Sequence, residues 1–188
     1  MTRYLLDTNI ISNAIKQEPS ESLLAWMGMQ KDDDLFIASL TVAEIRRGIL
    51  EKPRGKKRAA LDKWFSGSEG PQALFGGRIL SFDDKAGLIW AQLMAEGKAA
   101  GRPRNALDMI IAAVAGANEC VVVTDNEKDF AGLQIVNPIR GAVCCSGGSR
   151  NAREGKIGCA LDDCRSARHT PRTEAALRSR GAQVYPND

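Results

Sequence analysis

The residues of this chain best suited to chemistry are carboxylates. Asp7 follows the strand-like Arg3-Tyr-Leu-Leu, Glu44 closes Thr41-Val-Ala-Glu, Asp108 stands in Asn105-Ala-Leu-Asp-Met-Ile-Ile, and Asp125 follows Val121-Val-Val-Thr, with Asp129 next in the same loop. Gathered at one place, they repel: two unit charges ~4 Å apart at an effective dielectric near 20 cost ~4 kcal/mol. A divalent cation removes that conflict. Carboxylate oxygens suit hard ions such as Mg²⁺ or Mn²⁺, which activate water against a phosphodiester. A nuclease driven by a histidine acid and base is disfavoured, because the only histidine, His169, lies far downstream in the last part of the chain.

The acids can meet only if the intervening chain folds to bring them together. Short β-rich runs (Tyr4-Leu-Leu, Leu35 to Ser39, Arg78 to Phe82, Cys120 to Thr124, Gln134-Ile-Val) alternate with amphipathic ones (Ile10 to Lys16, Ser22 to Gln30, Val42 to Leu50, Lys56 to Phe65, Ala86 to Ala99, Ala106 to Asn118). Such alternation marks βαβ units and a mostly parallel sheet, so the expected class is an α/β sandwich. In open parallel sheets ligands collect beyond the carboxyl ends of the strands. Asp7 and Asp125 sit just past such ends, and Glu44 follows the second strand closely. Asp108 depends on a helix starting beside it.

Each acid also has a structural role open to it. Thr41-Val-Ala-Glu44 fits a capping box. Asn105-Ala-Leu-Asp108 reads as an Asn cap with an acid in the first turn. Asp7 could stabilise the turn into Thr8-Asn9, and one of Asp125 and Asp129 could simply be solvated. Convergence separates the two readings, since ion ligands must meet and caps need not.

With 188 residues and 44% hydrophobic content, the chain can bury one ordinary core. Residues 141–188 hold eight Lys and Arg against five Asp and Glu, which leaves residues 1–140 without net charge. Nucleic acid must then be held by local cations and metal, not by a global field. Arg102 and Arg104 precede Asp108, and Arg46 and Arg47 follow Glu44; all four are placed to meet phosphates. Thr8 and Thr124 are placed to meet phosphate or ion-bound water. The longest apolar stretch, Met109 to Ala117, is far below the roughly 20 residues that span a bilayer. No secretory signal pattern precedes the first strand, so the expected location is cytoplasmic. Of five cysteines only Cys120 lies in the body, and no disulfide framework supports the core.

Leu5-Leu-Asp-Thr-Asn-Ile-Ile-Ser, Thr41-Val-Ala-Glu-Ile-Arg-Arg-Gly, Asp108-Met-Ile-Ile-Ala-Ala and Val123-Thr-Asp-Asn-Glu-Lys-Asp-Phe resemble, in order and spacing, the motifs of PIN-domain ribonucleases. Arg78-Ile-Leu-Ser-Phe-Asp and Val136-Asn-Pro are similar to the FitB/VapC-type toxin branch of toxin–antitoxin systems. The resemblance covers about residues 2–140. It implies a three-layer α/β/α sandwich and Mg²⁺- or Mn²⁺-dependent endoribonuclease activity. It further implies a metal site of Asp7, Glu44 and Asp108, completed by Asp125 or, as second choice, Asp129. A cognate antitoxin and a homodimer or mixed oligomer also follow from it, and Trp26, Trp64, Phe65 and Trp90 offer mild support for such a surface.

Two features depart from the family pattern. Asn126 stands where some members carry Asp, which leaves room for a second reading: a catalytically degenerate binding module that acts through an antitoxin. A nucleotide-binding α/β domain would want a glycine-rich loop after the first strand, and Asp7-Thr-Asn-Ile offers none. The other departure is the extension 141–188, rich in Gly and Arg. It reads as largely disordered apart from a short helix over Pro171 to Arg180. Its Cys144, Cys145, Cys159, Cys164 and His169 match no usual zinc module.

Overall fold

The computed structural model describes residues 2–140; the expectations for 141–188, including the helix over 171–180 and the cysteine cluster, lie outside the described residues. The elements run β1 (Arg3–Leu6), α1 (Thr8–Ala14), α2 (Glu21–Gly28), a 3-10 turn (Asp32–Asp34), β2 (Leu35–Ala38), α3 (Ser39–Leu50), α4 (Lys56–Ser66), α5 (Pro71–Leu74), β3 (Ile79–Leu80), α6 (Asp84–Ala99), α7 (Ala106–Ala117), β4 (Cys120–Val123) and β5 (Ile135–Val136). The strands form one sheet in the order β3-β2-β1-β4-β5. Every pairing is parallel: Leu5 stands opposite Phe36 on one side and Val122 on the other, with Ile37 opposite Ile79 and Val123 opposite Val136.

Side chains alternate across a strand, and here the alternation sorts the core into two halves. Leu6, Leu35, Ile37 and Val123 face one layer, packed with Ile10, Ile11, Leu23, Trp26, Ile45, Ile49, Leu61 and Phe65 of α1 to α4. Leu5, Phe36, Ala38 and Val122 face the other, packed with Ala86 of α6 and with Met109, Ile111, Ala113 and Val114 of α7. Fully burying each Leu, Ile or Val contributes about 1.5–3 kcal/mol. The result is the three-layer α/β/α sandwich expected. Trp26 and Phe65 serve it as core residues, Trp26 edge-on to Tyr4 with ring centroids 5.1 Å apart. Trp90 packs partly buried, its indole donating to the Ala106 carbonyl at 3.2 Å.

Caps start several helices. Asp83 accepts from the Ala86 amide at 2.9 Å, Asn105 from the Leu107 amide at 2.9 Å, and Ser20 from the Leu23 amide at 3.4 Å. At α3 the expected capping box is absent. β2 runs directly into the helix, with Ala38 extended at φ −82°, ψ 151° as N-cap and no side-chain capping bond. Thr41 is therefore inside the helix and fully buried, its hydroxyl lacking a partner. Glu44 is thereby released from capping.

Just past the end of α6 the chain turns through left-handed backbone that favours glycine: Gly101 has φ +66°, the usual C′ solution. The following loop folds back onto the helix, the Arg102 amide bonding to the Gly97 carbonyl at 2.9 Å. A Cβ on Gly97 would lie 2.8 Å from Arg104 Cγ and 3.1 Å from the Arg102 carbonyl oxygen, so the small residue permits that approach. Among the described residues no helix is long and apolar enough to cross a membrane.

Candidate active site

Asp7 leaves β1, the central strand, with its amide still bonded to the Val123 carbonyl at 2.9 Å. Its carboxylate is buried and held from three directions. Oδ1 accepts from the Thr8 amide at 2.6 Å, while Oδ2 accepts from Asn9 Nδ2 at 2.8 Å and from the Thr124 hydroxyl at 2.7 Å. Asp7 is also the N-cap of α1, so the turn-stabilising role and the site role coincide. Burial raises its pKa and the nearby Glu44 charge adds to the rise, against the opposing hydrogen bonds from Thr124, Thr8 and Asn9.

Glu44 lies in the second turn of α3, its Oε2 accepting from the Thr8 hydroxyl at 2.5 Å. Asp108 comes from the opposite layer, in the first turn of α7. A helix N-terminus ordinarily favours a carboxylate, yet Asp108 is pushed up to about 6, first by burial and then by the charges of Asp7, Asp129 and Glu44. Four acids from four separate segments thus act on one another at the carboxyl edge of the sheet. Among the described residues no three of them stand at the spacing of a ready-made ion cage. Their compatibility with an ion rests on a donor set of hard oxygens and on mutual repulsion that a cation would relieve.

The two candidates for the fourth acid, Asp125 and Asp129, have different surroundings. Asp125 turns away, its Oδ1 taking the Arg140 guanidinium at 2.9 Å and Asn137 Nδ2 at 3.3 Å. Asp129 is close enough for its charge to raise Asp108, and Asn126 steadies it by donating Nδ2 to its Oδ2 at 2.6 Å. The loop after β4 bends so that the acid nearer the strand end is the one spent on the chain's own cation.

The polar side chains sort differently from expectation. Thr124 is fully buried and its hydroxyl is engaged with Asp7, Asn9 and the Asn126 amide; it orients a carboxylate and has no free face for a substrate. Thr8 is likewise committed to Glu44. Asn9, which the sequence reading placed only in the turn after Asp7, is a structural hub: besides Asp7 it donates to Thr124 at 3.0 Å and accepts from the Asp125 amide at 3.2 Å. Its position two residues after Asp7 was the available signal.

Of the four arginines, Arg46 pairs with Asp62 and lies over the Phe65 ring, and Arg47 stands within 4.0 Å of Glu44 and 3.6 Å of Glu51. Both are tied to their own layer. Arg104 is anchored to the Leu93 carbonyl at 3.2 Å and to Glu96 at 3.8 Å, whereas Arg102 is exposed. Both line an open pocket of about 390 Å³ whose wall includes Asp129.

A family model described as the PIN domain matches residues 4–135. The chain is 39% identical over 136 residues to VapC ribonuclease Y4jK of Sinorhizobium fredii, the match covering 71% of this chain and 96% of that protein. It is 36% identical over 136 residues to toxin FitB of Neisseria gonorrhoeae, with the same 71% and 96% coverage. Among solved structures, FitAB bound to an IR36 DNA fragment superposes with a TM-score of 0.68 at 34% identity, covering 74% of this chain and 97% of that one.

Proposed function

Since this chain belongs to the PIN domain family, in its VapC- and FitB-like branch, we propose that it is an endoribonuclease, the toxin of a toxin–antitoxin pair. It hydrolyses RNA phosphodiester bonds with Mg²⁺, or Mn²⁺, as cofactor. The observation that carries this reading is the meeting of Asp7, Glu44, Asp108 and Asp129 at one sheet edge, with Asp108 raised to about 6. A cluster built only for stability would have no reason to keep four acids in mutual repulsion.

Asp7, Glu44 and Asp108 would hold the ion, with Asp129 as the fourth charge in place of Asp125. When bound, a hard divalent cation supplies an activated water near neutral pH and offsets charge on the phosphate. The chain's own residues do the rest. Thr8, Asn9 and Thr124 fix the two oxygens of Asp7 and one of Glu44, so less reorganisation is needed at the moment of binding. Below about pH 6, where burial and the neighbouring acids keep Asp108 protonated, its proton would compete with a cation for the site. Asn126, the residue that suggested a degenerate site, holds Asp129 in place, and this favours an active enzyme over a pure binding module.

The relatives' names support the activity: one is called a ribonuclease and the other a toxin. One structural neighbour is FitAB bound to a DNA fragment, which supports a cognate antitoxin as partner. A cytoplasmic location and a homodimer or mixed oligomer complete the proposal.

The test is cleavage of RNA by the purified chain with and without Mg²⁺ or Mn²⁺, alongside Asp7→Asn and Asp108→Asn. Each substitution is expected to lower the rate by about 100-fold or more with an unchanged circular dichroism spectrum. Undiminished cleavage by both variants, or full activity in EDTA, refutes the mechanism. Induction in cells should arrest growth, and expression of the neighbouring gene product should relieve it.

A further inference from the structure

We propose that the pocket between the end of α6 and the loop after β4 seats one nucleotide of a single-stranded RNA, next to the phosphate being cleaved. The proposal rests on the nuclease reading of the adjoining carboxylates. The pocket is lined by Gly97, Ala100, Arg102, Pro103, Arg104, Lys128, Asp129 and Ala131 and measures about 390 Å³, within the range of small-molecule sites, about 300–1,000 Å³.

Three cations against one acid give it net positive charge beside an acidic centre. Ala100, Pro103 and Ala131 in its lining offer apolar contact to a base or ribose. Arg102 and Lys128 are exposed, and among the described residues neither has an ion-pair partner. They are suited to phosphate oxygens.

The loop that presents Arg102 is built, not slack. The Arg102 amide is bonded to Gly97, Arg104 is anchored to Leu93 and Glu96, Pro103 fixes the turn between them, and Gly97 gives the room. Arg104 is accordingly a positioning residue, and Arg102 and Lys128 are the ones that touch the ligand. Asp129 joins the pocket to the centre, because it lines the one and acts on Asp108 in the other. A strand lying from the pocket to the carboxylates therefore needs no further surface to be held in register.

The experiment measures binding of a short fluorescein-labelled single-stranded RNA of mixed sequence to the full chain by anisotropy, in EDTA and over a series of salt concentrations. Arg102→Ala with Lys128→Ala is expected to weaken binding about tenfold and to make the log K against log salt slope shallower by about 1.4, two single-strand phosphate contacts at roughly 0.7 each. Ala131→Phe, which narrows the pocket, is expected to weaken binding and leave the slope as it is. Lys52→Ala, on the exposed turn after α3, is expected to change neither.

Unchanged affinity and slope in the double variant overturn the proposal. So does displacement of the RNA by polyglutamate as effectively as by unlabelled RNA, which would mark an acidic-peptide site. The nuclease reading is checked separately by cleavage in Mg²⁺. There the double variant should raise KM and spare kcat, whereas RNA that binds through the pocket but is never cut sinks the enzyme and leaves the pocket standing. If the wild-type chain fails to bind RNA at all, the pocket proposal falls.

Discussion

Replacing Asp108 by Asn should stabilise the ion-free protein by an amount that grows as pH rises from 3.8 and is complete above about 6. The carboxyl is raised from 3.8 to about 6 by burial and by Asp7, Asp129 and Glu44. In full that shift corresponds to about 3 kcal/mol; solvent reaches the side chain, so about half, ~1.5 kcal/mol, is the better expectation.

The folded state holds the proton more tightly than the unfolded one. Between pH 3.8 and about 6 its stability therefore declines as pH rises, and above that window the full cost is present. Asn removes the cost. In EDTA, thermal unfolding of wild type and Asp108→Asn should coincide near the low end of the window. Above neutrality they should separate, the variant melting about 3–6 °C higher for a chain of this size. Relief of the neighbouring Asp7, itself raised by burial and by Glu44, acts in the same direction. Added Mg²⁺ or Mn²⁺ should then raise the melting temperature of wild type and have little effect on the variant. Parallel melting curves across the whole pH range, or a variant that melts lower throughout, would refute the account of four crowded acids.

Three further outcomes follow from particular contacts. Asp129→Asn should lower RNA cleavage by about 100-fold, while Asp125→Asn, which loses only its pairing with Arg140 and keeps Asn137 within reach, should retain most of the rate; the reverse order in a cleavage assay would reinstate Asp125. Thr41→Val should stabilise by about 1 kcal/mol in urea denaturation, because it removes a buried hydroxyl that has no partner. Gly70→Ala should destabilise by about 3 kcal/mol, since the added Cβ would fall 2.1 Å from the Phe65 carbonyl oxygen; a loss under 1 kcal/mol would show that the α4–α5 turn yields easily.

The elements were legible where periodicity and caps agreed. α7 begins after Asn105 as its cap predicts, and β1, β2 and β4 fall on their apolar runs. The start of α3 was not, because a strand that passes straight into a helix leaves no capping residue to see, and a Thr three residues before a Glu imitates one. α5 is a single turn over Pro71–Leu74, too short to show a period.

At the site, strand-end logic brought Asp7, Glu44 and Asp125 to one edge, and Asp108 depended on a helix starting beside it, which the Asn105 cap supplies. That logic could not choose between Asp125 and Asp129, because that choice depends on which way a polar loop folds and on where Arg140 arrives from the end of the described chain. Burial of Thr124 was equally hidden, since a threonine at a strand end has the same sequence signature whether it faces solvent or core.

Glu44 is delivered by the helical layer on one face of the sheet and Asp108 by the layer on the other, with Asp7 on the strand between them. The gap the carboxylates must span is therefore a measure of how the two outer layers sit across the sheet. An ion shared by all three would act as a rivet through the sandwich, and its arrival should slow amide hydrogen exchange in α3 and α7 together although those helices belong to separate half-cores. Conversely, any partner that shears one layer against the other by a fraction of an ångström would spoil the grip on the ion without approaching the cleft.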